Sequence, residues 1–182
     1  MTETQLITGC LAQDRRIQQQ VYITFGSKVM GICKRYMKDR ERAEEMAMNT
    51  FLTVFQKIGQ YKSEGSFEGW ILRIAVNCCL MELRKKTTFN IEVSQDIVQI
   101  SSAFNNVDIF LNDDIEQMLK ILPDSARIIF NLYAIEGYKH AEIAEQLGIT
   151  EGTSKSQLHY AREKLKKIFF SSYQPQKISH GK

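Results

Sequence analysis

The sequence predicts an all-α fold made of two helical domains, and three observations support this. Apolar residues recur at spacings of three and four along most of the chain, which is the period of one helix face. Only 2 prolines occur in 182 residues, so long helices are permitted. A polar segment at 87–112, with acidic but no basic residues, divides the pattern. We therefore expect an N-terminal helical bundle at 1–86, a flexible linker at 87–112, a C-terminal helix-turn-helix domain at 113–170 and a tail at 171–182.

The N-terminal domain is expected to contain three helices. The first covers 15–37. Asp39 and Ser66 suit the caps of the second and third helices, because their side chains can accept hydrogen bonds from free backbone N–H groups. The third helix runs to about Lys86. The predicted buried stripes are, in chain order, Ile17, Val21, Phe25, Val29, Ile32 and Tyr36; then Ala43, Ala47, Phe51, Val54 and Ile58; then Phe67, Trp70, Ile71, Ile74, Cys78 and Met81.

The C-terminal domain has the pattern of a helix-turn-helix. A helix starts at Pro123 and ends at Gly137, and two short helices follow, joined at the segment LGIT. Gly148 suits a turn that needs a positive φ angle, and Thr150 can cap the last helix. The buried side of that helix is predicted to hold Leu158, Ala161 and Leu165. Its other face presents short polar side chains and then cations: Thr153, Lys155, Ser156, Gln157, Tyr160, Arg162 and Lys164.

This last helix is suited to DNA. Short polar groups at a helix start can touch base edges in the major groove, and cations further along can meet phosphates. The alternative is a plain helical hairpin with a solvated basic face. The spacing of Ala144, Gly148 and Ile149 before a basic helix favours DNA binding. His140 and His159 also lie in this motif, and we expect both to be surface groups.

Motifs and composition argue against other classes of protein. The chain has no Gly-rich phosphate loop, no HExxH and no Ser-His-Asp arrangement with supporting context, so we expect no catalytic residues and no enzymatic activity. The four cysteines form no CxxC pair, so we expect reduced thiols, no metal site and no cofactor. No run is apolar enough to span a bilayer, and the N-terminus lacks the pattern of a secretory signal. We expect a cytoplasmic protein without membrane insertion.

Two long segments resemble a known family. The string RYMKDRERAEEMAMNTFLTVFQKIGQYKSEGSFEGWILRIAVNCCLMELRKK resembles region 2 of the extracytoplasmic-function (ECF) sigma factors of bacterial RNA polymerase. The string LPDSARIIFNLYAIEGYKHAEIAEQLGI, followed by EGTSKSQLHYAREKL, resembles their region 4. The two motifs occur in the family's order and at its spacing, over most of the chain. The resemblance implies a sigma factor that binds core polymerase, recognises promoter DNA and promotes transcription initiation.

The resemblance also implies a role for individual residues. Contact with core polymerase falls to Glu44, Glu45, Asn49, Phe51, Leu52 and Phe55. Promoter melting and −10 contact fall to Tyr61, Lys62, Ser63, Arg73, Asn77, Arg84 and Lys85. Contact with −35 DNA falls to the outer face of the last helix, as given above. From packing alone, Phe51 is equally suited to the core, and Trp70 is expected to pack there rather than stack on bases.

The chain departs from the family pattern at three places. Asn49 and Thr50 stand where members more often have an acidic or glutamine pair. Ser154 stands where valine is frequent and faces inward, so the last helix is expected to bury less apolar area. Gln157 stands where arginine is frequent, which changes the expected contact with DNA. The promoter sequence of the family therefore does not transfer to this chain.

The expected partners are the core polymerase, at its β′ clamp and β flap, and promoter DNA. We expect the free protein to be a monomer. Many family members are held by an anti-sigma protein, and the sequence leaves open whether this one is. The alternative function is a helix-turn-helix transcriptional regulator with a helical effector domain. A regulator should dimerise alone and ignore core polymerase, whereas a sigma factor should be monomeric and join it.

Overall fold

The computed structural model describes residues 1–86 and 117–172, and these ranges contain helices and turns but no strand. The chain divides into two compact units, Met1–Asn90 (unit 1) and Ile91–Lys182 (unit 2). The expected all-α fold with two domains is therefore confirmed. The predicted linker at 87–112 and most of the predicted tail lie outside the described residues. Across the described ranges, no helix is both long and apolar enough to cross a membrane.

The described part of unit 1, residues 1–86, contains four α-helices rather than the three expected. They are α1 (Glu3–Leu11), α2 (Arg15–Tyr36), α3 (Arg40–Lys57) and α4 (Phe67–Lys86), with a 3₁₀ turn at Ile58–Gln60. Helix α1 has no recognisable apolar period, because only Leu6 and Cys10 of its nine residues are buried. Thr2 caps it through a reciprocal pair with Gln5. Gly9 lies so close to α2 that an added Cβ would come within 2.5 Å of Ile17.

The predicted caps of unit 1 are confirmed. The Asp39 side chain accepts a hydrogen bond from the backbone N–H of Arg42 at 2.8 Å. The Ser66 hydroxyl accepts one from the N–H of Gly69 at 3.1 Å. The predicted stripe of α3 is buried throughout, and that of α2 is buried except for Ile17, which is half-buried. These caps and stripes follow from spacing along one helix, which is why the sequence predicts them.

The buried face of α4 differs from the prediction. Met81 is 60% exposed, and Trp70, Ile74 and Cys78 are half-buried. The core side follows steps of four residues and includes small side chains: Phe67, Ile71, Ala75, Val76, Cys79 and Leu80. Small residues allow α4 to pack closely against neighbouring helices. A stripe predicted from large hydrophobic residues does not include them. The predicted stripe was therefore rotated toward the larger residues.

Unit 2 is built around a helix-turn-helix. Residues 117–120 are helical and are followed by α5 (Asp124–Phe130), a π-helical turn (Asn131–Ile135), α6 (His140–Leu147) and α7 (Glu151–Ser172). A core of Leu119, Leu122, Ala126 and Ala161 ties the last helix to the start of the unit. The expected positive φ of Gly148 is confirmed at 67°. The cap is confirmed as well, since the Thr150 hydroxyl accepts a hydrogen bond from the N–H of Thr153 at 3.0 Å.

The last helix is longer than expected. The sequence predicted two short helices, but α7 has 22 residues. Neither proline nor glycine occurs after Gly152 within it, so nothing in the sequence ends it early. The three cations expected on its outer face, Lys155, Arg162 and Lys164, all lie within it.

Candidate nucleic-acid interface

The outer face of α3 carries the residues expected to contact a protein partner. Glu44, Glu45, Asn49 and Leu52 are exposed, and Phe55 is half-buried. The Glu44 carboxylate accepts a hydrogen bond from Arg40 Nε at 2.7 Å on the same helix. Both side chains of that ion pair are exposed, so the pair is weak and costs little to exchange for another partner.

Phe51 does not share this exposure. It is only 4% exposed, with its ring centroid 5.0 Å from that of Tyr22 in an edge contact and 6.3 Å from that of Phe55. Of the two roles that the sequence left open, the structure supports packing. Leu52 and Met48, which are 58% and 68% exposed, supply the apolar character of the outer face instead.

The loop between α3 and α4 is held in a defined shape. The Tyr61 hydroxyl donates a hydrogen bond to the Gly65 carbonyl at 2.7 Å and so closes the loop. Its ring contacts those of Phe67 and Trp70, at centroid distances of 5.4 and 5.3 Å. Ser63 and Gly65 adopt positive φ angles of 58° and 104° inside it. Loss of solvation, and then the nearby Glu3 carboxylate, raise the pKa of Tyr61. Lys62 and Ser63 remain exposed on this closed loop.

Trp70 fits the packing role expected for it. Its indole is half-buried and stacks on the buried Phe67 ring, with centroids 5.9 Å apart and planes 17° from parallel. Tyr61 completes the aromatic cluster. The cluster therefore anchors the loop to α4.

One exposed face of α4 extends from this loop. Arg73, Asn77 and Arg84 are all exposed and lie at steps of four and seven residues, which places them on one side of the helix. Met81 lies on the same side, so the residue wrongly assigned to the core belongs here. Lys85 is exposed next to this face, with Nζ 3.8 Å from Glu82. The result is a basic face with one amide and one apolar side chain.

The outer face of α7 carries most of the residues expected there. Lys155, Tyr160 and Arg162 are exposed, and Thr153, Ser156 and Lys164 are half-buried. Short-range contacts fix several of these side chains. Ser156 donates to the Thr153 carbonyl at 3.0 Å, and Lys164 Nζ donates to the Tyr160 hydroxyl at 3.4 Å. Lys155 pairs with Glu151 at 3.3 Å, and both are exposed.

Gln157 was wrongly placed on this outer face. It is only 8% exposed, and its Oε1 accepts a hydrogen bond from the Ser125 hydroxyl at 3.3 Å. The inner positions of α7 run in steps of three and four through Ser154, Gln157, Leu158 and Ala161. Only the apolar members of that series are recognisable as buried from the sequence alone. Gln157 therefore joins α7 to α5 instead of facing DNA.

The inward orientation of Ser154 is confirmed, and its partner was missed. Its Oγ lies 2.9 Å from His140 Nδ1, in a hydrogen bond between α7 and α6. His140 was expected at the surface but is half-buried, with its ring stacked on Tyr133 at a centroid distance of 4.4 Å. Burial lowers the pKa of His140, as do the charges of Lys155 and Arg162, against the opposing effect of Glu151. A buried hydroxyl at an inner position was the available signal that a polar partner must exist.

These two sites define a class of protein. One unit presents a basic helical face beside a preformed loop, and the other presents a helix-turn-helix with cations along its last helix. Both suit nucleic acid, which identifies a two-domain helical DNA-binding protein.

The sequence comparisons identify the family. The pattern of "Sigma-70 region 2" matches residues 21–89, and that of "Sigma-70, region 4" matches residues 112–165. The chain therefore belongs to the sigma-70 family, as an RNA polymerase sigma factor of transcription initiation. A region 2 match in unit 1 is not expected of a helix-turn-helix regulator with an effector domain.

Similar proteins narrow the class to ECF sigma factors. The chain is 29% identical to ECF RNA polymerase sigma factor SigE of Mycolicibacterium smegmatis, over 76% of this chain and 56% of that protein. It is 24% identical to RNA polymerase sigma-H factor of Pseudomonas aeruginosa, over 91% of this chain and 92% of the relative. A solved structure of sigma factor RpoE bound to the anti-sigma factor NepR, from Bartonella quintana, has the same fold. Its TM-score is 0.53 at 18% identity, covering 84% and 96% of the two chains.

Proposed function

We propose that the two units of this sigma factor act on different parts of a promoter. Unit 1 binds core polymerase and holds the opened −10 DNA, and unit 2 binds the duplex at −35. The segment 87–112 joins them as a linker. The observation that carries this proposal is the exposed face of α4, where two arginines and an amide follow a loop that is already closed.

The outer face of α3 is the proposed contact with the β′ clamp of core polymerase. It combines the exposed carboxylates Glu44 and Glu45 with Asn49 and the exposed apolar side chains Leu52 and Met48. Apolar side chains clustered on a surface and bordered by polar groups are typical of a protein interface. Phe51 supports this face from beneath by packing against Phe55.

The loop at 61–66 and the face of α4 are the proposed site for opened DNA. Taking a base out of its stack costs a few kcal/mol, so the protein must replace the lost contacts. Arg73 and Arg84 can bind the phosphates of the single strand, and Asn77 can hydrogen-bond a base edge. Met81, exposed between them, can contact an unstacked base. Tyr61 acts here by shaping the loop, since its ring is already packed on Phe67 and Trp70.

The outer face of α7 is the proposed −35 reader. Thr153 and Ser156, near the start of the helix, are placed to approach base edges, and Lys155, Arg162 and Lys164 to meet phosphates. Tyr160 lies between them with its hydroxyl bound to Lys164. Gln157 is left out of this set because it is buried.

The setting of the protein follows from this role. We propose that it acts in the cytoplasm, by binding and without catalysis of its own. We further propose core polymerase at its β′ clamp and β flap, promoter DNA and an anti-sigma protein as its partners. The structure of the Bartonella sigma factor in complex with NepR motivates the last of these.

Run-off transcription with core polymerase on a library of genomic fragments tests the proposal. We expect discrete transcripts that require this chain and that identify the promoter. Core polymerase with an equal amount of a denatured sample serves as the control. An absence of chain-dependent transcripts, with a chain that also fails to bind core polymerase, would contradict the proposed function.

A further inference from the structure

The inner face of α7 carries a hydroxyl where two packed helices ordinarily bring apolar groups together. Ser154 is fully buried, one turn before the buried Gln157 and Leu158. An apolar side chain at this position would tolerate a small rotation or slide of the helix, because dispersion contacts are not directional. A buried hydroxyl must keep its partner within hydrogen-bonding distance and angle. Ser154 therefore ties the position of α7 to one partner.

That partner is His140, the first residue of α6. Its Nδ1 lies 2.9 Å from Ser154 Oγ, and its ring stacks on Tyr133 with planes 23° from parallel. With the ring neutral and its proton on Nε2, the Ser154 hydroxyl donates to Nδ1. The ring is thus fixed on one face by Tyr133 and on one edge by Ser154.

The same tyrosine connects this pair to the outer face of α7. The guanidinium carbon of Arg162 lies 5.6 Å from the centroid of the Tyr133 ring, within the range of a cation–π contact. Arg162 is exposed and follows Ser154 by about two helical turns. A rotation of α7 that broke the bond between His140 and Ser154 would also move Arg162 away from the ring.

We propose that the His140–Ser154 pair fixes the rotation and axial position of α7 and thereby determines how strictly unit 2 discriminates between −35 sequences. The proposal rests on the proposed function, in which α7 reads the −35 element. Both are positioning residues, since neither lies on the outer face. Buried polar pairs can set the register of packed helices without adding stability.

Removing the Ser154 hydroxyl should change the position of α7 without changing the stability of unit 2. Ser154→Ala keeps a small side chain and removes the buried polar group, so its unfolding midpoint should stay near that of the wild type. The ratio of affinities for the best −35 sequence over single-base variants should fall by about tenfold. His140→Ala should lower the same ratio. The double variant should lower it no further, because both changes remove one interaction.

The experiment uses the full chain bound to core polymerase. Holoenzymes of the wild type and the variants are titrated with the promoter obtained by run-off transcription and with its single-base −35 variants. His140→Asn is the conservative variant, because its amide oxygen can take the place of Nδ1, and it should restore most of the ratio. His159→Ala, at a half-buried histidine of α7, the helix that carries Ser154, is the control and should match the wild type.

A discrimination ratio equal to the wild type in both Ser154→Ala and His140→Ala would overturn the proposal, as would effects that simply add in the double variant. If either alanine variant fails to fold, two other measurements test the pair. They are the discrimination ratio of His140→Asn and the ¹⁵N chemical shifts of the His140 ring in the wild type. A ring whose Nδ1 neither accepts nor donates a hydrogen bond overturns the pair. A wild-type holoenzyme that binds no promoter refutes the proposed function itself, whereas an unchanged ratio on a promoter it does bind refutes only the pair.

Discussion

The two helices proposed to contact DNA are held in place by different means. The inner face of α4 is mainly apolar, with Phe67, Ile71, Ala75 and Cys79 in steps of four residues, and Cys79 adds one weak thiol hydrogen bond to Cys33 of α2 at 3.9 Å. The inner face of α7 mixes the apolar Leu158 and Ala161 with two buried polar residues, Ser154 and Gln157, each hydrogen-bonded to another helix. The packing of side-chain volumes therefore positions α4 for the most part. The position of α7 depends in addition on hydrogen bonds, which require a particular direction between donor and acceptor. A helix that must hold an opened strand tolerates small displacements better than one that reads base edges.

The largest expected effect concerns the packing of α4. Ile71→Ala leaves a cavity among buried side chains and should lower the free energy of unfolding of unit 1 by about 2–5 kcal/mol. Met81→Ala is the matched control, because Met81 is exposed, and its effect should stay within about 0.5 kcal/mol. Urea unfolding followed by the fluorescence of Trp70 reports unit 1, since the chain has 1 tryptophan. Equal losses in both variants would show that the exposed face of α4 is misassigned.

The next effect concerns strand opening. Asn77→Ala removes a hydrogen bond to a base edge and should lower the extent of opening by about tenfold, at about 1–1.5 kcal/mol for such a bond. Permanganate reactivity of thymines near −10 measures opening, and duplex capture by the same holoenzyme is the internal control. Wild-type reactivity in the variant would remove Asn77 from the proposed site.

A charge reversal on α3 should have a comparable or smaller effect. Glu45→Lys should weaken binding to core polymerase by about tenfold, because it places a positive charge where the proposed interface has a negative one. Glu145→Lys, an exposed position on α6, should leave the affinity unchanged. A fluorescence titration of labelled chain with core polymerase measures both. Normal affinity of Glu45→Lys together with an unchanged melting curve would argue against the outer face of α3.

The cations of α7 should each contribute one phosphate contact. Arg162→Ala and Lys155→Ala should each reduce the slope of log affinity against log salt by about one. Holoenzyme binding to promoter duplex across a salt series measures the slope. Slopes identical to the wild type in both variants would remove α7 from the phosphate backbone.

The smallest expected effect is a pH dependence that only unit 2 should show. The pKa of His140 is lowered in the folded state, so the unfolded chain takes up the proton first as pH falls. The stability that the neutral ring contributes is complete above about pH 6.5 and is lost as pH falls from there through the folded pKa. Hydrogen exchange of α6 and α7 over this range measures it. His140→Asn should flatten the dependence; a dependence unchanged in His140→Asn would assign it to another group.

The sequence predicts the features that depend on neighbours along the chain. The caps at Asp39, Ser66 and Thr150 and the positive φ of Gly148 need only local geometry, and all are confirmed. The family resemblance rests on strings of residues and is confirmed as well. Features set by other helices were not predictable.

Met81 and Gln157 show why these features were missed. The apolar side chain of Met81 favoured a buried position, but the buried positions of α4 include the small residues Ala75 and Cys79. Polarity assigned Gln157 outward, but Ser125 on α5 supplies a partner that only the folded chain brings near. The role of Phe51 was left open by the sequence and is decided by the ring of Tyr22 on another helix.

We propose above all that unit 1 opens the promoter while unit 2 anchors it. Permanganate reactivity near −10 and hydroxyl-radical protection near −35, recorded on one promoter with wild-type, Asn77→Ala and Arg162→Ala holoenzymes, test it most directly. With Asn77→Ala, we expect permanganate reactivity at −10 to fall and protection at −35 to remain. With Arg162→Ala, we expect protection at −35 to fall by a larger factor than reactivity at −10. Proportional loss of both signals in both variants would contradict a division of labour between the units.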